Sequence, residues 1–322
     1  MYVNVIIFFL VILVVNHTYE ADSNPFEVRE HSLTRPYPTV FSTSNSYWRL
    51  TGSTIATDRY IRLTSDAQSK AGGLWSNIPV NYPDWEIHVQ FRVFGEGVGY
   101  FGDGFVIWYA RDPNVDGPVF GYKDYFHGLA IVMDTYGNYV GPREHVYPYI
   151  SAIVNNGSLH YDHDRDGIDI NISGCESSFR GLTTDTVVAI RYENNRLTVS
   201  TDTEGTNTWT PCFTINKIHL PTNYYFGFTA ATGQLSDNHD IISVRTYRLD
   251  SNEQRQEENR NHIVPSGPIP MVSQANVTMS QITSWSALKI FFYTILMILI
   301  CITGLASFFY MKHYRYRKPR FY

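Results

Sequence analysis

The stretch from Ile290 to Phe309 carries no charged residue. At ~1.5 Å of rise per residue, a helix of that length covers a ~30 Å hydrocarbon core. A lone segment in lipid must be helical, because its backbone groups then bond within the segment. Lys289 marks the upstream edge, and Trp285 and Tyr310 suit the two interfaces. Lys312, Arg315, Arg317, Lys318 and Arg320 follow downstream. Basic flanks collect on the cytosolic side. The pattern predicts one membrane-spanning helix over 288–310 and a cytosolic tail over 311–322, with the body of the chain luminal. Val3–Val15 has the length of a signal-peptide apolar core and is followed at once by Asn16, His17 and Thr18, so 1–20 reads as a signal peptide.

The net charge of −5 hides an asymmetry. Five of the 25 Lys and Arg lie in the tail, which has no acid; the other 20 face 30 Asp and Glu. An acidic body argues against nucleic acid as a partner and suits metal cations or neutral ligands. Within 40–250, Ile87, Val89, Phe91 and Val93 alternate with His88, Gln90 and Arg92, the mark of a half-buried strand. Phe105–Tyr109, Leu129–Met133 and Tyr149–Val154 are continuous apolar runs, read as core strands. Val187–Tyr192 and Arg196–Thr201 flank Glu193-Asn194-Asn195, a hairpin signal. Tyr224–Ala230 and Ile241–Leu249 complete the set. No window of useful length has a helical period. The expectation is an all-β fold, an antiparallel β-sandwich or jelly roll over 26–250. Residues 251–287, charged and Gln/Asn-rich and then Pro-rich, read as a polar stalk.

Cys175 and Cys212 both fall in the luminal body, where an oxidising compartment makes one disulfide the expected pairing. Cys301 lies within the span. Sequons occur at Asn156, Asn171 and Asn276, all on the luminal side.

The acids that could carry chemistry cluster in 100–170. Asp103 precedes one apolar strand and Asp134 ends the next. Ca2+ takes six to eight oxygen ligands. Asp134, the Tyr136 carbonyl and the Asn138 amide, at i, i+2 and i+4, can converge on one ion, and Asp166 can close the sphere from a later loop. The same acids also read as turn residues capping their own backbone. Asp162-x-Asp164-x-Asp166-Gly167 opens like an EF-hand loop, but Ser173 stands where a bidentate Glu is needed, and flanking amphipathic helices are missing. A glycosidase needs paired carboxylates across the scissile bond. No strand presents alternating acids for that purpose, and no nucleophile elbow, phosphate loop or zinc-protease motif occurs, so the chain reads as a non-enzyme.

Longer strings are specific. Phe101-Gly102-Asp103-Gly104, Trp108-Tyr109, Gly117-Pro118-Val119-Phe120-Gly121, Phe126-His127-Gly128-Leu129-Ala130, Asp134-Thr135-Tyr136, Asn155-Asn156-Gly157-Ser158 and Leu235 to Ser243 are in order along the chain. Together they resemble the luminal L-type, legume-like lectins of the early secretory pathway, nearest the vesicular integral-membrane subgroup. The resemblance implies a Ca2+-dependent lectin for high-mannose N-glycans. It would act as a type I cargo receptor in the membranes of the endoplasmic reticulum, the intermediate compartment or the Golgi. It implies Ca2+ ligation by Asp134, Tyr136, Asn138 and Asp166. It also implies mannose contacts from Ser69, Asp103, Asn138, His163, Gly233, Gln234 and Leu235, a cis Gly102–Asp103 peptide, and the Cys175–Cys212 disulfide. Where the nearest relatives have Gly-Asp-Leu, this chain has Gly233-Gln234-Leu235, so one strong acceptor for sugar hydroxyls is replaced by an amide. Histidine changes charge across the pH range of secretory compartments, which makes His163 a candidate release switch. The terminal Phe321-Tyr322 resembles the family's transport signal, a ligand for coat proteins by C-terminal capture. The alternative from another class is a membrane-anchored luminal adhesion or scaffold module on the same sandwich without a sugar site.

Overall fold

The computed structural model describes residues 26–41, 46–141, 144–251, 255 and 259–316. The predicted signal peptide and Phe321-Tyr322 lie outside the described residues. Two sheets form. The first runs, in spatial order, β13 (Thr210–Asn216), β12 (Arg196–Asp202), β11 (Thr186–Glu193), β6 (Trp85–Phe94), β15 (Asn238–Arg248), β4 (Ile61–Thr64) and β3 (Ile55–Ala56), with β1 (Phe26–Glu27) also paired to β15. The second runs β10 (Ser173–Glu176), β9 (Tyr149–Asn156), β8 (His127–Asp134), β7 (Gly104–Ala110), β14 (Tyr225–Ala231), β5 (Ala71–Ser76) and β2 (Trp48–Gly52). Every strand pairing is antiparallel.

The two kinds of hydrophobic pattern have one structural cause. β6 alternates buried and half-buried residues along its whole length, so only one face of the first sheet meets the core. β7 is buried at every position. Phe105, Ile107 and Tyr109 of β7 join the core between the sheets, with Phe91, Trp85 and Phe226. Val106, Trp108 and Ala110 join a second cluster on the opposite face, with Phe120, Phe126 and Tyr161 from covering loops. A sheet covered on both sides needs apolar residues at consecutive positions, which is how the continuous runs in the sequence arise. The Trp108 indole N–H satisfies itself on Thr229 Oγ1 at 2.8 Å within that second layer.

The Glu193-Asn194-Asn195 signal is a two-residue hairpin turn. Glu193 pairs with Arg196, and Asn194 and Asn195 have φ of 50° and 61°, the left-handed pair that matches strand twist. Cys175 on β10 and Cys212 on β13 are disulfide-bonded, with Cα atoms 5.4 Å apart. Each strand ends its own sheet, so the bond ties the two sheets along one flank.

The chain beyond Asp250 departs from the stalk reading. The compact unit runs on to Pro270. Arg255 is buried and pairs with fully buried Asp84 at 2.7 Å. Arg260 is also buried and donates to the Leu220 carbonyl and the Tyr192 hydroxyl. His219 and Ser266 form an isolated bridge. A polar segment can leave solvent where the domain supplies matching acceptors, and a composition count does not see those acceptors. The second unit is one helix, Met271–Tyr316, which begins well inside the stretch read as stalk. Within it, Phe291–Lys312 is long and apolar enough to span a bilayer.

Asn171 corrects one sequon expectation. The residue is 2% exposed, so its side chain is closed off in the folded domain, where a glycan needs an exposed acceptor. Asn156 is exposed at the end of β9, and its Oδ1 accepts from Ser158 Oγ at 2.6 Å. Asn276 falls on the C-terminal helix, and its side chain lies outside the described residues.

Candidate calcium and carbohydrate site

One transverse row of the second sheet builds the site. Tyr149 pairs with Asp134, Asp134 with Gly104, Gly104 with Ala231, and Ala231 with Ala71. Because neighbouring strands are antiparallel, this row is at once the end of β8, the start of β7, the end of β14 and the start of β5. The loops leaving these points therefore share one rim. They carry Thr135–Asn138, Gly102-Asp103, Gly233–Leu235 and Ser69.

Asp134 continues the even-numbered face of β8 after Ala130 and Val132, so it points towards the layer that holds Tyr161. It is buried, and Oδ1 accepts the Tyr136 N–H at 3.0 Å. Burial pushes its carboxyl well above the usual carboxylate range, and the nearby charges of Asp166 and Asp103 push the same way. Asp166 has φ 52° and ψ 29°, the left-handed residue closing the short 3₁₀ turn His163–Arg165. It accepts from Asn138 N and Nδ2 at 3.0 and 2.9 Å and from Tyr139 N at 2.9 Å. With Nδ2 so engaged, the amide oxygen of Asn138 faces away from Asp166. Two mutually repelling carboxylates, one of them desolvated, beside a carbonyl and an amide oxygen form an all-oxygen donor set. That is the chemistry of a hard divalent cation, which would relieve both the burial and the repulsion.

Asp103 lies beside this set. The Gly102–Asp103 peptide is cis. The Asp103 carbonyl accepts from Thr135 N at 3.0 Å and Thr135 Oγ1 at 3.1 Å, which ties the β7 entry to the β8 exit. Burial raises its carboxyl, while the charge of His163 and the Gly233 N–H pull it back down. A Cβ at Gly233 would lie 3.3 Å from Asp103 Oδ2, so glycine lets the two loops approach. Gly102 is walled by Tyr136 and Leu235, whose Cβ atoms would lie 3.2 and 3.7 Å from an added methyl. Ser69 donates its backbone N–H to the Gly233 carbonyl at 3.1 Å, and Gln68 Nε2 donates to the Gln234 carbonyl at 2.8 Å. His163 Nε2 is 2.7 Å from the Pro118 carbonyl, and its ring packs on Tyr161 and Phe120 of the second cluster.

The legume-like lectin family profile matches residues 25–256. The chain belongs to the legume-like lectin family. Vesicular integral-membrane protein VIP36 of Canis lupus familiaris is 45% identical over 304 residues, which covers 91% of this chain and 85% of that protein. VIP36-like protein of Homo sapiens is 39% identical over 297 residues, with the same two coverages, 91% and 85%. The VIP36 exoplasmic/lumenal domain, solved in a Ca2+/Man2-bound form, matches with a TM-score of 0.72 at 48% identity, covering 75% of this chain and 98% of that one.

Within this legume-like lectin, sequence reasoning missed some of the groups around the acids. Tyr147 hydrogen-bonds Asp166, and burial with the charges of Asp134 and Asp166 drives its hydroxyl far above the ordinary range. Fully buried Tyr161 is raised for the same reasons. Gly137 admits the Tyr147 ring, since a Cβ there would fall 2.6 Å from Cε2. Tyr147 and Tyr161 belong to no motif, so the sequence alone did not mark them as neighbours of Asp134.

Proposed function

We propose that this chain is a Ca2+-dependent lectin for high-mannose N-glycans, anchored by one helix in membranes of the early secretory pathway, where it captures glycoprotein cargo. What supports the reading is the transverse row that delivers Asp103, Asp134 and the Gly233–Leu235 loop to one rim. Asp134, the Tyr136 carbonyl, the Asn138 amide oxygen and Asp166 would hold the ion. Bound there, Ca2+ would supply positive charge that neutralises the two carboxylates and orders the loop between Tyr136 and Asn138.

The chain's own groups do the recognition. Mannose presents hydroxyls and no charge. Asp103 accepts hydroxyl hydrogens, Asn138 adds a directional contact, and the Gly233–Leu235 backbone offers N–H and carbonyl groups in a fixed loop. Ser69 and His163 close the sides. Each neutral bond of this kind is worth a net ~0.5–1.5 kcal/mol and one to the Asp103 carboxylate about 1.5–3 kcal/mol, so single-site binding is weak and release is easy. Asp134 is consumed by the ion, which removes the second carboxylate a glycosidase would require; we read the protein as a binder. Residues 1–20 would be removed as a signal peptide. The tail from 311, ending in Phe321-Tyr322, would present the transport signal to coat proteins.

The test is retention of the intact protein on mannose resin with Ca2+ and elution by EDTA. Flow-through in Ca2+ would exclude the lectin reading in favour of a sugar-free adhesion module.

A further inference from the structure

Arg180 belongs to the connection between β10 and β11, far in sequence from every residue assigned to the sugar. Its side chain is 12% exposed. Nε and Nη2 grip the carboxylate of fully buried Asp237 at 2.8 and 2.7 Å. Asp237 directly follows the Gly233–Leu235 loop and Ser236. Nη2 also donates to the Gly97 carbonyl at 3.1 Å, and the guanidinium lies 3.6 Å from the centre of the Phe101 ring. Gly97 and Phe101 belong to the β6–β7 loop that ends in Gly102-Asp103. One side chain therefore bonds both loops that meet at the sugar.

The fit around it is close. A Cβ on Gly95 would fall 2.4 Å from Asp237 Oδ1, so the β6–β7 loop presses directly on the Arg180–Asp237 pair. A third loop locks into the same point. Asp66, just upstream of Ser69, accepts from Ser236 Oγ at 2.5 Å and from Glu96 N at 2.8 Å. Only a planar guanidinium can hold a carboxylate in a two-pronged grip, donate to a carbonyl and stack on a ring at once; an ammonium is a point charge.

We infer that Arg180 is the positioning residue of the sugar site, setting the spacing between Asp103 and the Gly233–Leu235 loop. The inference rests on the lectin reading above. Among the described residues its polar partners are Asp237 and Gly97, and none is a residue read as a cation ligand. Sugar affinity and calcium affinity therefore separate when Arg180 is replaced.

The experiment uses the full-length chain in detergent. Arg180→Met leaves Asp237 buried and unpaired, so it is compared with the double variant Arg180→Met with Asp237→Asn, which removes that stranded charge, and with Arg180→Lys. Calcium affinity, trimannoside affinity at saturating calcium, and amide exchange in residues 95–102 and 232–237 without sugar are measured. In the double variant, calcium affinity stays at the wild-type value, sugar affinity falls roughly tenfold or more, the scale set by residues that orient ligand-contacting groups, and both loops exchange faster together. Arg180→Lys is intermediate, because it restores the charge without the fork or the ring contact. Unchanged sugar affinity in the double variant overturns the inference. A parallel fall of calcium and sugar affinity also overturns it, because that marks a merely structural role. If the wild type itself ignores trimannoside, the lectin reading fails. The exchange measurement then decides on its own: faster exchange in both loops supports Arg180 as their tie, and unchanged exchange overturns it.

Discussion

Asp166 accepts two hydrogen bonds from Asn138, one from the backbone N at 3.0 Å and one from Nδ2 at 2.9 Å. The residue that closes the His163–Arg165 turn thus orients the amide proposed to serve both the ion and the sugar. Asp166→Ala removes a ligand and an orienting partner together. Calcium affinity is expected to drop ~10–100-fold or more, as for lost supporting contacts at metal sites, and mannose affinity is expected to drop with it. Titration calorimetry with calcium, then with mannose, checks both.

Asp134 makes the opposite point about stability. Its folded carboxyl is raised far above the unfolded value by burial and by Asp166. The folded domain without calcium therefore holds the Asp134 proton more tightly than the unfolded chain does. That contribution is present below the unfolded pKa and is lost as pH rises through the folded one. At neutral pH without calcium, Asp134→Asn should melt at a higher temperature than the wild type, and added calcium should no longer raise its melting point. A lower melting temperature in EDTA would contradict this account.

Replacing Asp103 should separate sugar binding from ion binding. Among the described residues its hydrogen bonds run to Gly233 and Thr135, and none of them goes to a residue read as a cation ligand. Asp103→Ala removes a charged acceptor worth about 1.5–3 kcal/mol, so mannose retention is expected to vanish while calcium still stabilises the protein. Thermal melts with and without calcium, run beside resin binding, test the separation.

Acid should weaken the fold through His239. It is fully buried, with Nδ1 2.7 Å from Thr64 Oγ1, and burial with the nearby Arg180 charge pushes its pKa down to about 3. The unfolded chain takes up that proton near the ordinary ~6.5, whereas the folded chain cannot until far lower. Its contribution is whole above ~6.5 and falls by about 1.4 kcal/mol per pH unit below that. His31, buried against Tyr82, is shifted the same way. Urea unfolding between about pH 6.5 and 5 should show a shallower pH slope for His239→Gln than for the wild type.

Exposure divides the two sequons of the lectin domain. Asn156 is exposed and Asn171 is buried. Protein from a secretory host should lose a glycan on Asn156→Gln and keep its mass pattern on Asn171→Gln. A glycan mapped to Asn171 would contradict the burial.

Much of the fold was legible because its cause is local. Alternation at Ile87–Val93 and continuity at Phe105–Tyr109 report how many faces of a strand are covered, and the Asn194-Asn195 turn selects itself by backbone preference. The acids at the strand ends were visible for the same reason. The short strands β2 to β5, with glycine and polar residues in their runs, were not legible, because pairing rather than side-chain pattern makes them strands.

By itself the sequence determined the candidate span, the sandwich and the Asp134-to-Asn138 part of the candidate ligand set, because each depends on spacing along one segment. The tertiary structure alone decided that Arg255 and Arg260 leave solvent, that Asn171 is closed off, and that Arg180 meets Asp237 and Phe101. Those outcomes depend on partners brought together by antiparallel register across many residues, and no local pattern encodes who those partners will be.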